Sequence, residues 1–95
     1  MISFEWDEEK NRKNLAKHKV SFETAKLVFE DPRAVSLLER IEEGEERWHT
    51  VGMAGGVVIL LVVYTHRGQG GEEVTRIISA RKATPRERKI YEEGI

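Results

Sequence analysis

The chain has 95 residues, 39% of them apolar and 35% charged, with a formal net charge of −1 and no cysteine. That length allows one domain, residues 1–95, and the missing cysteine excludes disulfides, thiolate nucleophiles and cysteine–zinc sites. Near-neutral charge argues against a general nucleic-acid coat protein, and the longest apolar run, residues 57–64, falls far short of the roughly 20 that a membrane span needs. The opening Met1-Ile2-Ser3-Phe4-Glu5 reaches an acid at once, so no signal peptide is expected. The expectation is a soluble, cytoplasmic protein with no membrane partner.

Residues 2–6 read as a short strand with Phe4 and Trp6 on one side. Asp7 can cap a helix whose first turn carries Glu8 and Glu9, as the positive end of a helix favours. The helix is predicted to reach about residue 19, with Asn11, Asn14, Leu15 and His18 as its inward stripe. Ser21 caps a second helix in which Phe22, Ala25, Val28 and Phe29 repeat at helical spacing, and Asp31-Pro32 stops it. The pattern then changes to strands. Residues 34–40 form one candidate, followed by an acidic turn over residues 41–45. Residues 46–53 alternate, with Trp48 and Thr50 on one side and Arg47, His49 and Val51 on the other. A hairpin turn falls at residues 54–56.

Residues 57–65 are apolar at both parities, which predicts a central strand covered on both faces. Residues 66–71 hold three glycines and read as a flexible loop carrying Arg67. The last strand spans residues 74–81. Thr84-Pro85-Arg86-Glu87 then has the full signature of a helix start: an N-cap, proline at the first helical position and a capping box. The order β-α-α-β-β-β-β-α, with short links between successive strands, predicts an α+β domain. It would be an antiparallel meander packed with two N-terminal helices and one C-terminal helix.

Charge is segregated along this order. Residues 30–46 hold seven acids and two bases, whereas residues 76–89 hold six cations and only Glu87 as an acid. Cations beside the free N–H groups of a helix start make a phosphate site, which points to Arg81 and Lys82. Arg76 is separated from Arg81 by an odd number of residues, so strict alternation puts the two on opposite faces; a bulge would bring them together. Glu87 is either the capping-box acid or a general base. Tyr91, four residues on, is either a core anchor or a stacking group. Arg47 and His49 either border a ligand or line the sheet rim. His18, His49 and His66 sit in three separate elements with no metal-ligand spacing, so no metal and no cofactor is expected.

The ordered set Phe4-Glu5-Trp6-Asp7-Glu8-Glu9-Lys10, Asn14, Lys17-His18-Lys19-Val20-Ser21-Phe22, residues 47–52, Val63-Tyr64-Thr65 and Arg76-Ile77-Ile78-Ser79-Ala80-Arg81-Lys82-Ala83-Thr84 with Glu87, Arg88 and Tyr91 resembles the BrnT-type toxins. The resemblance runs from residue 4 to about residue 93. It implies a RelE-like ribonuclease fold and the toxin role in a type II toxin–antitoxin pair. The partner would be a BrnA-like ribbon-helix-helix antitoxin that reaches operator DNA itself, and a homodimer is left open.

Positions matching the family's motifs are His18, Arg76, Arg81 and Glu87, with Arg67 as a loop candidate. The expected activity is metal-independent cleavage of RNA that arrests translation. His18 would be the stronger proton-transfer group and Glu87 the weaker, with Arg81 and Arg76 or Arg67 on the phosphorane. Lys17, Arg47, Lys82 and Tyr91 would contact RNA. The alternative is a non-catalytic RNA- or protein-binding module that uses the basic C-terminal region.

Overall fold

A computed structural model describes residues 2–94; Met1 and Ile95, the two ends of the expected domain, lie outside the described residues. Strand β1 (Ile2–Glu5) leads into helix α1 (Glu8–His18). Helix α2 (Phe22–Ala25) tightens into a 3₁₀ turn over Lys26–Glu30. Four strands follow, β2 (Val35–Glu42), β3 (Glu45–Ala54), β4 (Val58–Gln69) and β5 (Glu72–Lys82), and helix α3 (Pro85–Glu93) ends the chain. This is the predicted order of elements in an α+β domain.

The sheet order is β1-β5-β4-β3-β2. The meander of β2 to β5 is antiparallel, as expected, and β4 lies at its centre. The first strand adds to it in parallel beside β5. Two segments differ from the sequence reading. Glycine content suggested a loop over residues 66–71, but β4 continues through Arg67 and Gly68 to Gln69. The link is only Gly70-Gly71, with φ of 61° and 85°, the two positive values that a type I′ hairpin requires. Arg67 therefore stands on a strand. Likewise the acidic turn shrinks to Glu43-Gly44 between paired Glu42 and Glu45.

On the back face of the sheet, Val20, Phe22, Ala25 and Val28 pack against Leu60, Val62, Tyr64, Ile77 and Ala80. Each large side chain fully buried there contributes about 1.5–3 kcal/mol. Trp48 joins this cluster as core, together with Phe4 and Trp6. Gly52 of β3 lets the 3₁₀ turn come close: a Cβ there would lie 2.7 Å from Val28 Cγ1 and 3.0 Å from the Cβ of Ala34.

Helix α1 meets the sheet through amides. Asn14 donates to Ala80 O and to Val20 O, both at 2.8 Å, and accepts from Ala80 N–H at 3.2 Å. Beyond Arg76 the β5 edge has no β1 beside it, so Asn14 supplies the missing ladder partner. Asn11 accepts from Phe22 N–H and donates to Glu23. Leu15, expected on the inward stripe, is exposed, because α1 meets the rest of the fold through its two asparagines rather than through a wide apolar stripe.

The front face is covered only at one end, where Tyr91 of α3 packs with Val51 and Leu61. The rest is open.

Candidate functional site

A bulge in β5 decides what stands on the open face. Val63 pairs with Ser79 and Tyr64 with Ile77, leaving Ile78 as the extra residue. Directly opposed residues share a face, so alternation is reset between Arg76 and Arg81. Both arginines now point to the front. The register then fixes three rows across the sheet. One runs Glu5, Arg76, Thr65, Arg47, Arg40; the next Ser79, Val63, His49, Leu37; the third Arg81, Leu61, Val51, Val35. Arg67, two positions from Thr65 along β4, shares this face. Four ladder steps separate the Arg76 and Arg81 rows, about 13 Å at roughly 3.3 Å per residue.

Each of the five arginines faces a carboxylate. Arg81 grips Glu87 with both guanidinium arms, at 2.8 and 2.9 Å. Glu5 accepts from Arg76 at 2.8 Å and from Arg67 at 3.4 Å. Arg40 pairs with Glu42 at 2.8 Å, and Arg47 lies 3.6 Å from Glu39. The Nε of Arg47, the atom that faces Glu39, is buried and has no hydrogen-bond partner among the described residues. Within residues 76–89, Arg76 is thus balanced by Glu5 of the distant β1 and Arg81 by Glu87 of the same segment.

The Arg81–Glu87 pair is the most rigid of these. Glu87 also accepts from Thr84 N–H at 2.9 Å while Thr84 Oγ1 accepts from Glu87 N–H, which closes the capping box. The hydrogen bond from Arg81 is the main cause that holds the Glu87 carboxyl below its usual range, and the same bond raises Arg81. An ionised carboxylate so firmly held is a poor proton donor or acceptor near neutral pH. Glu87 thereby fixes the orientation of the Arg81 guanidinium.

The other sequence candidates separate. His18 sits half-buried in the last turn of α1 and makes no side-chain hydrogen bond among the described residues; Lys17 beside it is exposed. Both belong to the helix along the β5 edge, not to the arginine face. Lys82 is exposed at the end of β5. Tyr91 is placed as an anchor, the first of its two readings: its ring is buried, its hydroxyl donates to Asp31 at 2.8 Å, and the Arg33 guanidinium lies 5.9 Å from the ring centroid. His66 faces the back, against Thr75 and Glu73. No group of three or more histidines or acids is placed to hold a metal ion among the described residues.

Two residues gain weight. His49 lies in the row between Arg76 and Arg81, and the alternation of Arg47, His49 and Val51 was a usable signal for it. Glu5 reaches the face only because β1 pairs in parallel with β5, which no local pattern announces.

The sequence model of the family described as ribonuclease toxin, BrnT, of type II toxin–antitoxin systems matches residues 6–87. No curated relative matches by sequence. Among solved structures, the chain resembles the crystal structure of the Brucella abortus ribonuclease toxin BrnT. The TM-score is 0.64 at 26% identity, over 88% of this chain and 97% of that one.

Proposed function

Because the chain belongs to the BrnT family of ribonuclease toxins from type II toxin–antitoxin systems, we propose that the open front face of its sheet binds single-stranded RNA and cleaves it without a metal ion. The observation that carries this reading is the bulge at Ile78, which brings Arg81 and Arg76 onto the same face as Arg47, Arg67 and His49. Metal-free cleavage needs a base for the attacking 2′-hydroxyl, an acid for the departing 5′-oxygen, and cations for the crowded phosphorane. The 2′-oxygen attacks phosphorus, the bond from phosphorus to the 5′-oxygen breaks, and the products are a 2′,3′-cyclic phosphate and a 5′-hydroxyl.

Arg81, oriented by Glu87, supplies charge to the phosphorane. Histidine is the side chain suited to proton transfer near neutral pH, and His49 is the histidine on this face. His18 on α1 is the second candidate for that step. Arg47 guides the strand on this face, while Lys82 at the end of β5 and Lys17 on α1 contact RNA that extends past the sheet edge. A type II system pairs its toxin with an antitoxin. Here we assign that partner as a BrnA-like ribbon-helix-helix protein that covers the front face and carries the contact with operator DNA, both acting in the cytoplasm.

Purified, antitoxin-free protein incubated with RNA in EDTA is expected to cleave it. His49→Ala and Arg81→Ala are each expected to lower the rate by about 10²–10⁴. Binding without cleavage would replace this reading with the non-catalytic module. Full activity of both variants would move the chemistry elsewhere, with His18→Ala as the next measurement.

A further inference from the structure

The carboxylates on the arginine face are not held alike. Glu87 is fixed by Arg81 and by the helix cap together, so removing it would undo the start of α3. Glu39 and Glu42 lie on β2, at the far edge of the sheet. Glu5 is different. Its carboxylate is held by arginines alone, one oxygen toward Arg76 at 2.8 Å and the other toward Arg67 at 3.4 Å, with all three side chains substantially exposed. Two guanidinium groups sharing the oxygens of one anion is the arrangement that suits the non-bridging oxygens of a phosphate.

We propose that Arg67 and Arg76 form a phosphate subsite for single-stranded RNA, distinct from the Arg81–Glu87 pair, and that Glu5 is its internal occupant, displaced when a phosphodiester binds. The proposal rests on the reading of the front face as the RNA-binding surface. The roughly 13 Å between the two rows gives the strand two anchoring points, with the His49 row between them. The physical reason for an internal occupant is electrostatic: two adjacent arginines repel when empty, and Glu5 relieves that while tying β1 to β5.

The test uses the full-length protein and a fluorescent 2′-O-methyl RNA oligonucleotide, which lacks the attacking hydroxyl and so reports binding without turnover. Glu5→Gln is expected to tighten binding by up to about fivefold, the equilibrium worth of an exposed ion pair. The salt slope is expected to stay that of wild type, because the same phosphate is bound once Glu5 has been displaced. Adding Arg67→Ala to Glu5→Gln is expected to abolish that gain.

Glu5→Gln binding with wild-type affinity, or more weakly, overturns the inference and leaves the RNA-binding face standing. If neither protein binds the oligonucleotide, the face itself is misread and the inference falls with it. Should a thermal melt show Glu5→Gln to be unfolded, Arg67→Ala alone decides. A salt slope shallower by about 0.7 supports the subsite, and an unchanged slope overturns it.

Discussion

Asp31 accepts hydrogen bonds from three parts of the chain: Arg33 N–H at 2.9 Å, Met53 N–H of β3 at 2.8 Å and the Tyr91 hydroxyl of α3 at 2.8 Å. Burial pushes its carboxyl up, but the bonds from Met53, Arg33 and Tyr91 outweigh burial and hold it below the ordinary value. Tyr91 moves the opposite way, raised first by its bond to Asp31 and then by burial. These directions define a pH window. Asp31 and Glu87 are depressed on folding, so their stabilisation is present above about pH 4 and is lost as pH falls through their folded values. Tyr91 is raised, so its stabilisation is present below about pH 10 and is lost as pH rises through its folded value. Tyr91→Phe removes the hydroxyl but keeps the ring that packs with Val51 and Leu61. It is expected to cost about 1.5–3 kcal/mol, a hydrogen bond to a charged acceptor, to flatten the alkaline side of the melting-temperature profile, and to weaken the acid side only in part, since Asp31 keeps its bonds from Met53 and Arg33. An unchanged alkaline limb would mean that another group governs it.

The third helix shows an element announced locally. Thr84, Pro85 and Glu87 occupy the N-cap, first-turn and capping-box positions that the sequence predicts, and Thr84→Ala is expected to lower stability by about 1 kcal/mol in a denaturant melt. Its larger effect reaches the site, since the same cap holds Glu87 against Arg81. Strand β3 depends on a contact that is not local. Gly52 has no unusual backbone angle, yet Ala at this position would press on Val28 and Ala34. Gly52→Ala is expected to cost about 1–3 kcal/mol as overpacking, with melting temperature as the readout. The same division explains what the sequence made legible. Caps, the central strand β4, the element order and the alternation that places His49 beside Arg47 are short-range patterns of period 2 or 3.6. The bulge at Ile78 is a register shift between two strands, and the parallel docking of β1 and the pairing of Glu5 with two arginines arise from contacts some 60 to 70 residues apart. No local signal encodes them. Gly68 misled for a related reason: it lies within β4, where ladder partners, not its own propensity, set the conformation.

At the scale of the whole molecule, a net charge of −1 gives no net attraction for RNA, so the proposed binding rests on local charge. Two surfaces could supply it. The front face offers three places where a phosphate can meet guanidinium groups: the Arg67–Arg76 pair, Arg81, and Arg47, whose Nε faces Glu39 without a hydrogen bond. The C-terminal segment offers Lys82, Arg86, Arg88 and Lys89, all exposed. The salt dependence of binding distinguishes them, because each neutralised phosphate on a single strand contributes about 0.7 to the slope. Engagement of the front face alone predicts a slope of about −2 for a 2′-O-methyl oligonucleotide, and Arg81→Ala or Arg47→Ala should each make it shallower by one increment. A slope beyond about −4 would require the α3 cations as well, and Arg86→Ala with Lys89→Ala would then reduce it. The second result would return the C-terminal charge cluster to the binding surface. The first assigns it to solubility, and leaves the strand-borne arginines brought together by one inserted residue, Ile78, as the proposed RNA-binding surface.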